Sequence, residues 1–276
     1  MSIRVTGARF KSTKDIEMNV TVLAHARRLA MPQEEVTAAL LVIGDEILSG
    51  RTKDKNIGFV ADHCNRIGIR LKEVRIVADD AAAIVKAVND LRPAYTYVFT
   101  TGGIGPTHDD ITADAVAKAF GVPIDIDQRA VALLRERYAE ADLTPARLRM
   151  ARIPKGAELV ENPVSKAPGF QFENVIVMAG VPAIMEAMLL AVTPRLRTGP
   201  KLLSETLRVA AAEGQIAAPL GACQRAFPDV AMGSYPFFED GRPGANLVLR
   251  SIDKARLRLA KKDLIARLGP DITVSE

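Results

Sequence analysis

Short apolar runs alternate with segments of helical periodicity through the first two thirds of the chain. Thr37 to Ile43 is a continuous apolar run, which is typical of a strand buried on both faces. Apolar side chains then recur at helical spacing from Asn56 to Ile67, and Gly68 suits the C-terminal cap of that helix. Further strands are predicted at Leu71 to Val77 and Tyr95 to Thr100, and further helices at Ala81 to Leu91 and Ile111 to Phe120. This alternation indicates a three-layer α/β/α sandwich with a mostly parallel sheet.

The same pattern continues to a proline-containing segment, Pro194 to Pro200, and then changes. Beyond it the predicted order is strand, helix, strand, strand, helix, which describes a small α+β domain. We therefore predict an α/β domain over residues 36–198 and a second domain over residues 201–270. Residues 1–35 are expected to be a flexible extension, with Met31 as a candidate natural start. Before the prolines, helices are predicted at Asp127 to Ala141, Leu143 to Met150 and Ala183 to Val192, and a strand at Asn174 to Ala179.

Composition narrows the class of protein. A chain of 276 residues with 48% hydrophobic and 25% charged residues is ordinary for a soluble globular protein. Cys64 and Cys223 lie far apart without metal-ligand spacing, which favours idle thiols in a reducing cytoplasm. The apolar runs fall short of the roughly 20 residues that span a bilayer, so no membrane association is expected. A net charge of +4 with 5% aromatic residues does not favour nucleic-acid binding.

A glycine-rich segment between the third predicted strand and the following helix is the strongest candidate site. It runs Thr100-Thr101-Gly102-Gly103-Ile104-Gly105-Pro106-Thr107-His108-Asp109-Asp110. Glycines let the backbone approach a ligand closely, and the start of a helix presents free N–H groups to an anion. Phosphate binding is therefore predicted here, with a tight turn that holds no ligand as the alternative. The predicted contacts are the backbone of Gly102, Gly103 and Gly105 and the hydroxyls of Thr101 and Thr107.

Acidic residues near this segment predict a divalent cation (Mg, Mn or Co) beside the phosphate, because carboxylate and phosphate oxygens share such ions. Asp109 and Asp110, which end this segment, are the nearest candidate ligands, and helix capping is the alternative for Asp110. Asp114, one helical turn later, is predicted to orient water or else to be solvated. Asp45 and Glu46 follow the first strand and Asp79 follows the second, so all three fall at the same sheet edge as candidate ligands. Asp45 and Glu46 could instead bind a pair of ribose hydroxyls. A salt bridge in the loop, or a helix cap at Asp79 or Asp80, would explain them without metal.

Four segments stand in order along the chain: Gly44-Asp45-Glu46-Ile47-Leu48-Ser49-Gly50, Thr101 to Thr112, Ala167-Pro168-Gly169-Phe170 and Gly180-Val181-Pro182. Together they resemble the molybdopterin-binding fold, in the form found in CinA-like (competence/damage-inducible protein A) proteins. The resemblance covers roughly Thr37 to Arg197, and the region from about Lys201 is similar to the KH-like domain that follows in this branch. Full-length members carry a nicotinamide-nucleotide deamidase domain, before which this chain ends, so that activity is not implied. The resemblance also implies a homo-oligomer, either a dimer or a trimer.

The resemblance implies chemistry at a phosphoanhydride. CinA-like proteins are associated with metal-dependent cleavage of nucleotide pyrophosphates such as ADP-ribose, and the related domain of eukaryotic FAD synthase with FAD hydrolysis. Members that make molybdenum cofactor instead bind molybdopterin and adenylylate it with Mg-ATP. We therefore predict a metal-dependent nucleotide pyrophosphatase for ADP-ribose or FAD-like dinucleotides. The first alternative is a protein that binds or adenylylates molybdopterin, and the second is a non-catalytic protein that binds a nucleotide or RNA.

The resemblance implies that Asp110, which matches the acid after the loop in this family, is the leading metal ligand and a catalytic residue. Further site residues follow from the matching segments and their neighbours. Gly44, Ser165, Gly169 and Gly180 are expected to contact substrate, although Ser165 could instead only shape its loop. Lys166 is a candidate catalytic cation for charge on a leaving phosphate. A different segment, Gly241-Arg242-Pro243-Gly244, fits the G-x-x-G pattern of RNA-binding KH modules. We predict a β-hairpin turn there instead, because it falls between two predicted strands.

Overall fold

A computed structural model describes residues 35–239 and 241–275, so the predicted extension lies outside the described residues except for Glu35. The strands fall close to their predicted positions in the first half of the chain. The strands at Ile124–Ile126, Arg152–Pro154, Gly169–Phe172 and Val274–Ser275 were not predicted. The strands are β1 (Thr37–Ile43), β2 (Arg70–Val77), β3 (Tyr97–Thr101), β4 (Ile124–Ile126), β5 (Arg152–Pro154), β6 (Glu158–Val160), β7 (Gly169–Phe172), β8 (Val175–Met178), β9 (Leu203–Val209), β10 (Ala231–Glu239), β11 (Arg242–Ser251) and β12 (Val274–Ser275).

The α-helices also follow the predicted order, with one additional short helix after β1. Among the described residues, none of the helices is both long and apolar enough to cross a membrane. Single 3-10 turns occur at Glu140–Asp142 and Thr193–Arg195. The α-helices are α1 (Asp45–Leu48), α2 (Asn56–Ile67), α3 (Ala81–Leu91), α4 (Thr112–Phe120), α5 (Gln128–Arg135), α6 (Pro145–Arg149), α7 (Pro182–Val192), α8 (Glu213–Ala226) and α9 (Lys254–Leu268).

The first sheet has the strand order β2-β1-β3-β8-β7-β6. The pairs β2–β1, β1–β3 and β3–β8 are parallel, and β7 and β6 add antiparallel pairs at one edge. The prediction of a mostly parallel sheet is therefore confirmed. β2 and β1 pair in parallel because the helix between them, α2, returns the chain to the starting edge of the sheet.

Side chains of β1 alternate between two hydrophobic clusters, one on each face of the sheet. Leu41 packs with residues of α3, α4 and α5, whereas Leu40 packs with residues of α2 and α7. Because successive side chains on a strand point to opposite faces, a strand covered on both sides must be apolar at every position. This accounts for the uninterrupted apolar run from Thr37 to Ile43 and confirms the α/β/α layering.

Two predicted helices are shorter than expected. The helix predicted from Asp127 to Ala141 ends at Arg135, and Ala139 adopts extended backbone, so Tyr138 lies outside the helix. The next helix begins at Pro145 rather than Leu143. Thr144 accepts a hydrogen bond from the Arg147 N–H at this helix start, where proline has no N–H to satisfy.

The second sheet is antiparallel, in the order β10-β11-β9-β12, and α8 and α9 pack on it. This confirms an additional α+β region. Gly241 lies in the hairpin turn between β10 and β11, and Arg242, Pro243 and Gly244 are the first residues of β11, so the G-x-x-G sequence belongs to a β-hairpin, as predicted. A KH-like identity for the region stays a prediction.

His63, on α2, makes stability depend on pH. Its Nε2 lies 2.7 Å from Thr193 Oγ1, and burial followed by the Arg66 charge lowers the pKa of His63 below 6.5. The unfolded state therefore binds more protons between the two pKa values, and stability falls as pH drops below about 6.5, levelling off below the folded-state pKa. We expect the urea midpoint to fall more steeply between about pH 7.5 and about pH 5.5 in wild type than in His63→Gln. Equal slopes would contradict this assignment.

Candidate functional site

A cleft of about 630 Å³ opens where the carboxyl ends of β1, β2, β3 and β8 meet. This is the edge at which parallel α/β sheets bind ligands. Residues that are more than 130 positions apart in the chain meet here, so the convergence depends on the sheet topology. The predicted site residues that line the cleft are Gly44, Glu46, Asp79, Gly102, Gly103, Gly105, Asp110, Ser165 and Gly180.

Backbone contacts fix the glycine-rich loop after β3. Gly102 has φ +104°, and a Cβ added there would lie 2.1 Å from the Ile43 carbonyl oxygen. The Thr112 hydroxyl donates to the Gly102 carbonyl at 3.0 Å, and the Thr112 N–H donates to the Gly103 carbonyl at 2.9 Å. The loop is therefore pinned between the end of β1 and the start of α4. These contacts demand glycine at position 102 whether or not a ligand binds.

Asp110 organises the second half of this loop. Its Oδ2 accepts hydrogen bonds from both the N–H and the hydroxyl of Thr107. A Cβ on Gly105 would lie 2.6 Å from the same oxygen. Ile111 occupies the N-cap position of α4, so the helix-capping interpretation of Asp110 is wrong. The Asp110 carboxylate instead closes a turn over residues 107–110 at the mouth of the cleft.

The two threonines predicted to contact phosphate lie in different environments. Thr107 is exposed and bonded to Asp110 as described. Thr101 is buried in β3, and its hydroxyl oxygen has no hydrogen-bond partner in the structure. Thr101 is not among the residues that line the cleft, and it lies in the interior of the sheet.

Of the acidic residues after β1 and β2, some line the cleft and some accept hydrogen bonds from backbone N–H groups. Glu46 folds back over Gly44, where an added Cβ would lie 2.5 Å from Glu46 Oε2. Asp79 Oδ2 accepts the Asp45 N–H at 2.9 Å, which ties the end of β2 to α1. Glu46 and Asp79 line the cleft, whereas Asp45 is not among its lining residues. The helix cap belongs to Asp80, which accepts the Ala83 N–H at 2.8 Å.

Three further predicted residues lie away from the cleft. Asp114 pairs with Arg152, beneath the glycine-rich loop. Lys166 Nζ lies 2.6 Å from Glu136 Oε2, and this hydrogen bond and charge raise the pKa of Lys166. Gly169 is buried within β7. Asp114 and Lys166 each link two segments of the chain through an ion pair, and their roles toward a ligand stay predictions.

A divalent ion in this cleft would have to be held by protein carboxylates and ligand phosphates together. Within residues 35–239 and 241–275, no three His, Cys, Asp or Glu side chains form a group that could hold a metal ion. Mg²⁺ in proteins is commonly held by one or two carboxylates together with substrate phosphates, without an all-protein cage. The cleft fits that arrangement, since four carboxylates line it, from Glu46, Asp79, Asp109 and Asp110.

Sequence reasoning missed residues that act through distant contacts. Asn56 is buried at the start of α2, and its Nδ2 donates to the Gly180 carbonyl at 2.9 Å, holding the turn after β8.

Tyr138, Arg147 and Met150 line the cleft from the segment between α5 and β5. Helical periodicity assigned this segment to helix faces, which hid its role as a wall of the cleft.

Two families match the chain in succession. Residues 39–198 match the family described as "probable molybdopterin binding domain". Residues 201–276 match the family described as "FAD synthase, middle domain". The first match alone covers more than half of the chain.

Individual relatives agree with this assignment. A protein of Archaeoglobus fulgidus is 34% identical over 224 residues, covering 81% of this chain and 94% of that protein. A protein of Thermoplasma acidophilum is 39% identical over 158 residues, which are 56% of this chain and 62% of that protein. A CinA-like protein of Citrifermentans bemidjiense is 41% identical over 158 residues, covering 55% of this chain and 38% of that protein. The chain thus spans less than two thirds of the length of the last two relatives.

One solved structure supports both fold and family. The crystal structure of CinA from Thermoplasma acidophilum, a protein described as having unknown function, has 37% sequence identity and a TM-score of 0.55. The match covers 58% of this chain and 96% of that one. The resemblance found in the sequence is confirmed, and this chain belongs to the molybdopterin-binding domain family as a CinA-like member.

Proposed function

We propose that this protein hydrolyses the phosphoanhydride bond of ADP-ribose or FAD-like dinucleotides, with a divalent ion bound together with the substrate. The observation that carries this proposal is the meeting of the glycine-rich loop and four carboxylates in one cleft. An anion site alone would be weakened by neighbouring acids, whereas a phosphate that shares a cation with them would be stabilised.

The match of residues 201–276 to the middle domain of FAD synthase supports a dinucleotide substrate. In this chain the molybdopterin-binding region is followed by a region similar to part of a protein named for FAD. FAD and ADP-ribose both contain ADP, whose pyrophosphate joins adenosine to a second group. One phosphate cradle could therefore serve either compound.

The residues of the cleft have distinct roles in this proposal. Backbone N–H groups of Gly103 and Gly105 would hold phosphate oxygens and stabilise the charge that develops on the phosphorus under attack. Asp110, with Glu46 or Asp79, would hold the divalent ion, which supplies charge neutralisation and lowers the pKa of bound water. Water adds to one phosphorus as the bridging P–O bond breaks, giving two monophosphates. ADP-ribose would yield AMP and ribose 5-phosphate.

Molybdopterin binding is the second candidate, and the family match over residues 39–198 favours it. A pterin phosphate would occupy the same loop, so the cleft serves both candidates. The two differ in whether a phosphoanhydride is broken. A homo-oligomer, expected from the resemblance, and a cytoplasmic location stay predictions.

Product analysis separates these candidates. We expect the purified chain to release AMP from ADP-ribose and from FAD when Mg²⁺, Mn²⁺ or Co²⁺ is present, and not when EDTA replaces the metal. Ion-exchange chromatography of the nucleotides would quantify both products. Absence of turnover of both compounds by folded protein would contradict hydrolysis and leave ligand binding as the function.

A further inference from the structure

One wall of the cleft has no role in the phosphate chemistry. Tyr138, Arg147 and Met150 line it and come from the chain between α5 and β5, in which Arg147 lies on α6. The Arg147 guanidinium carbon lies 4.4 Å from the centroid of the Tyr138 ring, so the cation stacks on the aromatic face. We refer to these two side chains as the Tyr138–Arg147 pair.

The Arg147 guanidinium is fixed before any ligand arrives. Its Nη1 donates to the Asp142 carbonyl at 2.7 Å and lies 3.6 Å from Asp142 Oδ1. The Arg147 side chain nevertheless keeps 37% of its surface exposed. Because a long side chain ordinarily loses rotamer freedom when it binds, one already held in place presents a planar surface at a lower entropic cost.

The segment that carries Tyr138 contacts the loop over residues 162–167, which also contributes to the cleft lining. Lys166 forms an ion pair with Glu136, and Arg137 Nη1 donates to the Val164 carbonyl at 3.2 Å. That loop is itself shaped by buried Asn162, whose Oδ1 accepts the N–H groups of Val164 and Ser165 and whose Nδ2 donates to the Ala167 carbonyl. These contacts hold Tyr138 and the loop together as one wall.

We propose that the Tyr138–Arg147 pair recognises the planar heteroaromatic ring of the ligand, which would be the adenine ring in ADP-ribose. Arginine planes and aromatic faces are the surfaces on which bases stack. This inference rests on the proposed function, since it names the part of the same substrate that lies beyond the phosphates.

Charge and surroundings favour a ring over a second phosphate at this wall. The Arg147 charge is already paired with Asp142, which lessens its value to another anion. The cleft lining includes many apolar side chains, and Met150, close to Arg147 in the chain, offers the adaptable thioether contact that aromatic rings accept. Other apolar lining residues are Ile104, Pro106, Val181, Pro182 and Ile184.

A pair of ligands that differ only by the base tests this assignment. AMP and ribose 5-phosphate are the two products of the proposed reaction, and neither contains a phosphoanhydride to be cleaved. We expect calorimetry with Mg²⁺ to show that wild type binds AMP more tightly. Arg147→Ala should weaken AMP binding about tenfold and leave ribose 5-phosphate binding unchanged. Arg147→Lys should stay close to the alanine variant, since it restores the charge but not the plane.

The controls separate stacking from charge and from misfolding. Arg135→Lys alters an exposed arginine that pairs with Glu140 outside the cleft, and should bind both ligands as wild type does. Tyr138→Leu, which removes the supporting ring, provides an independent variant with the same expected selectivity loss. Thermal unfolding of each variant verifies the fold.

Several outcomes would overturn the inference. An equal loss for both ligands in Arg147→Ala would make Arg147 a phosphate ligand, and recovery in Arg147→Lys would make its charge the cause. Unchanged AMP binding, or no preference for AMP in wild type, would place the base elsewhere. Failure of the proposed hydrolysis would look different, because ADP-ribose would remain uncleaved while the AMP preference and its loss in Arg147→Ala persisted.

Discussion

Asp110→Asn lowers kcat/KM for ADP-ribose hydrolysis by at least about a hundredfold while the protein stays folded. Asparagine keeps an oxygen that can accept the N–H and hydroxyl of Thr107, so the turn over residues 107–110 is retained. It removes the negative charge that would attract the divalent ion. The expected loss therefore reports on charge at this position rather than on the shape of the loop.

Initial rates of AMP release at several Mg²⁺ concentrations measure this effect. Asp110→Asn should need more Mg²⁺ than wild type to reach half of its maximal rate. Asp125→Asn is the matched control, because Asp125 is exposed on β4 and is absent from the cleft lining. Activity in Asp110→Asn within about threefold of wild type would remove Asp110 from the proposed mechanism.

Gly102→Ala lowers the free energy of unfolding by about 3 kcal/mol or more and abolishes ligand binding. Two causes add. Alanine is strained at φ +104°, and its Cβ would lie 2.1 Å from the Ile43 carbonyl oxygen, a backbone atom that cannot move without displacing β1. Relief of that clash would shift the loop whose N–H groups are proposed to hold phosphate.

Gly121→Ala separates strain from clash. Gly121 has φ +67° at the C-terminal cap of α4, and a Cβ there meets no atom within 4 Å. It should cost only about 1 kcal/mol and leave AMP binding intact. Urea unfolding of the two variants gives the comparison. Equal losses would mean that the left-handed conformation alone, and not contact with β1, explains the glycine.

The sequence was most informative where one physical requirement acts on every residue of an element. β1 was predicted at its observed bounds because burial on both faces demands an apolar residue at each position. The edge of the sheet that holds the site followed from the alternation of strands and helices. Asp110 and the three loop glycines accordingly lie in the cleft.

Contacts with partners remote in the chain could not be predicted. Lys166 was predicted as a catalytic cation without its ion pair to Glu136, which lies thirty positions earlier. Asp114 is similarly paired with Arg152. Periodicity carried the helix prediction past Arg135 because Tyr138 falls on the apolar face, although the chain turns there to place that ring in the cleft. Local patterns contain no information about such pairings.

The division of β1 between two clusters constrains how this family can diverge. A substitution at Leu40 disturbs one layer only, and neighbouring side chains can repack around it. A deletion of one residue within β1 would send every later side chain to the opposite layer at once. Lineages should therefore accumulate point changes in this strand, while gains and losses of residues are confined to surface connections such as residues 155–156.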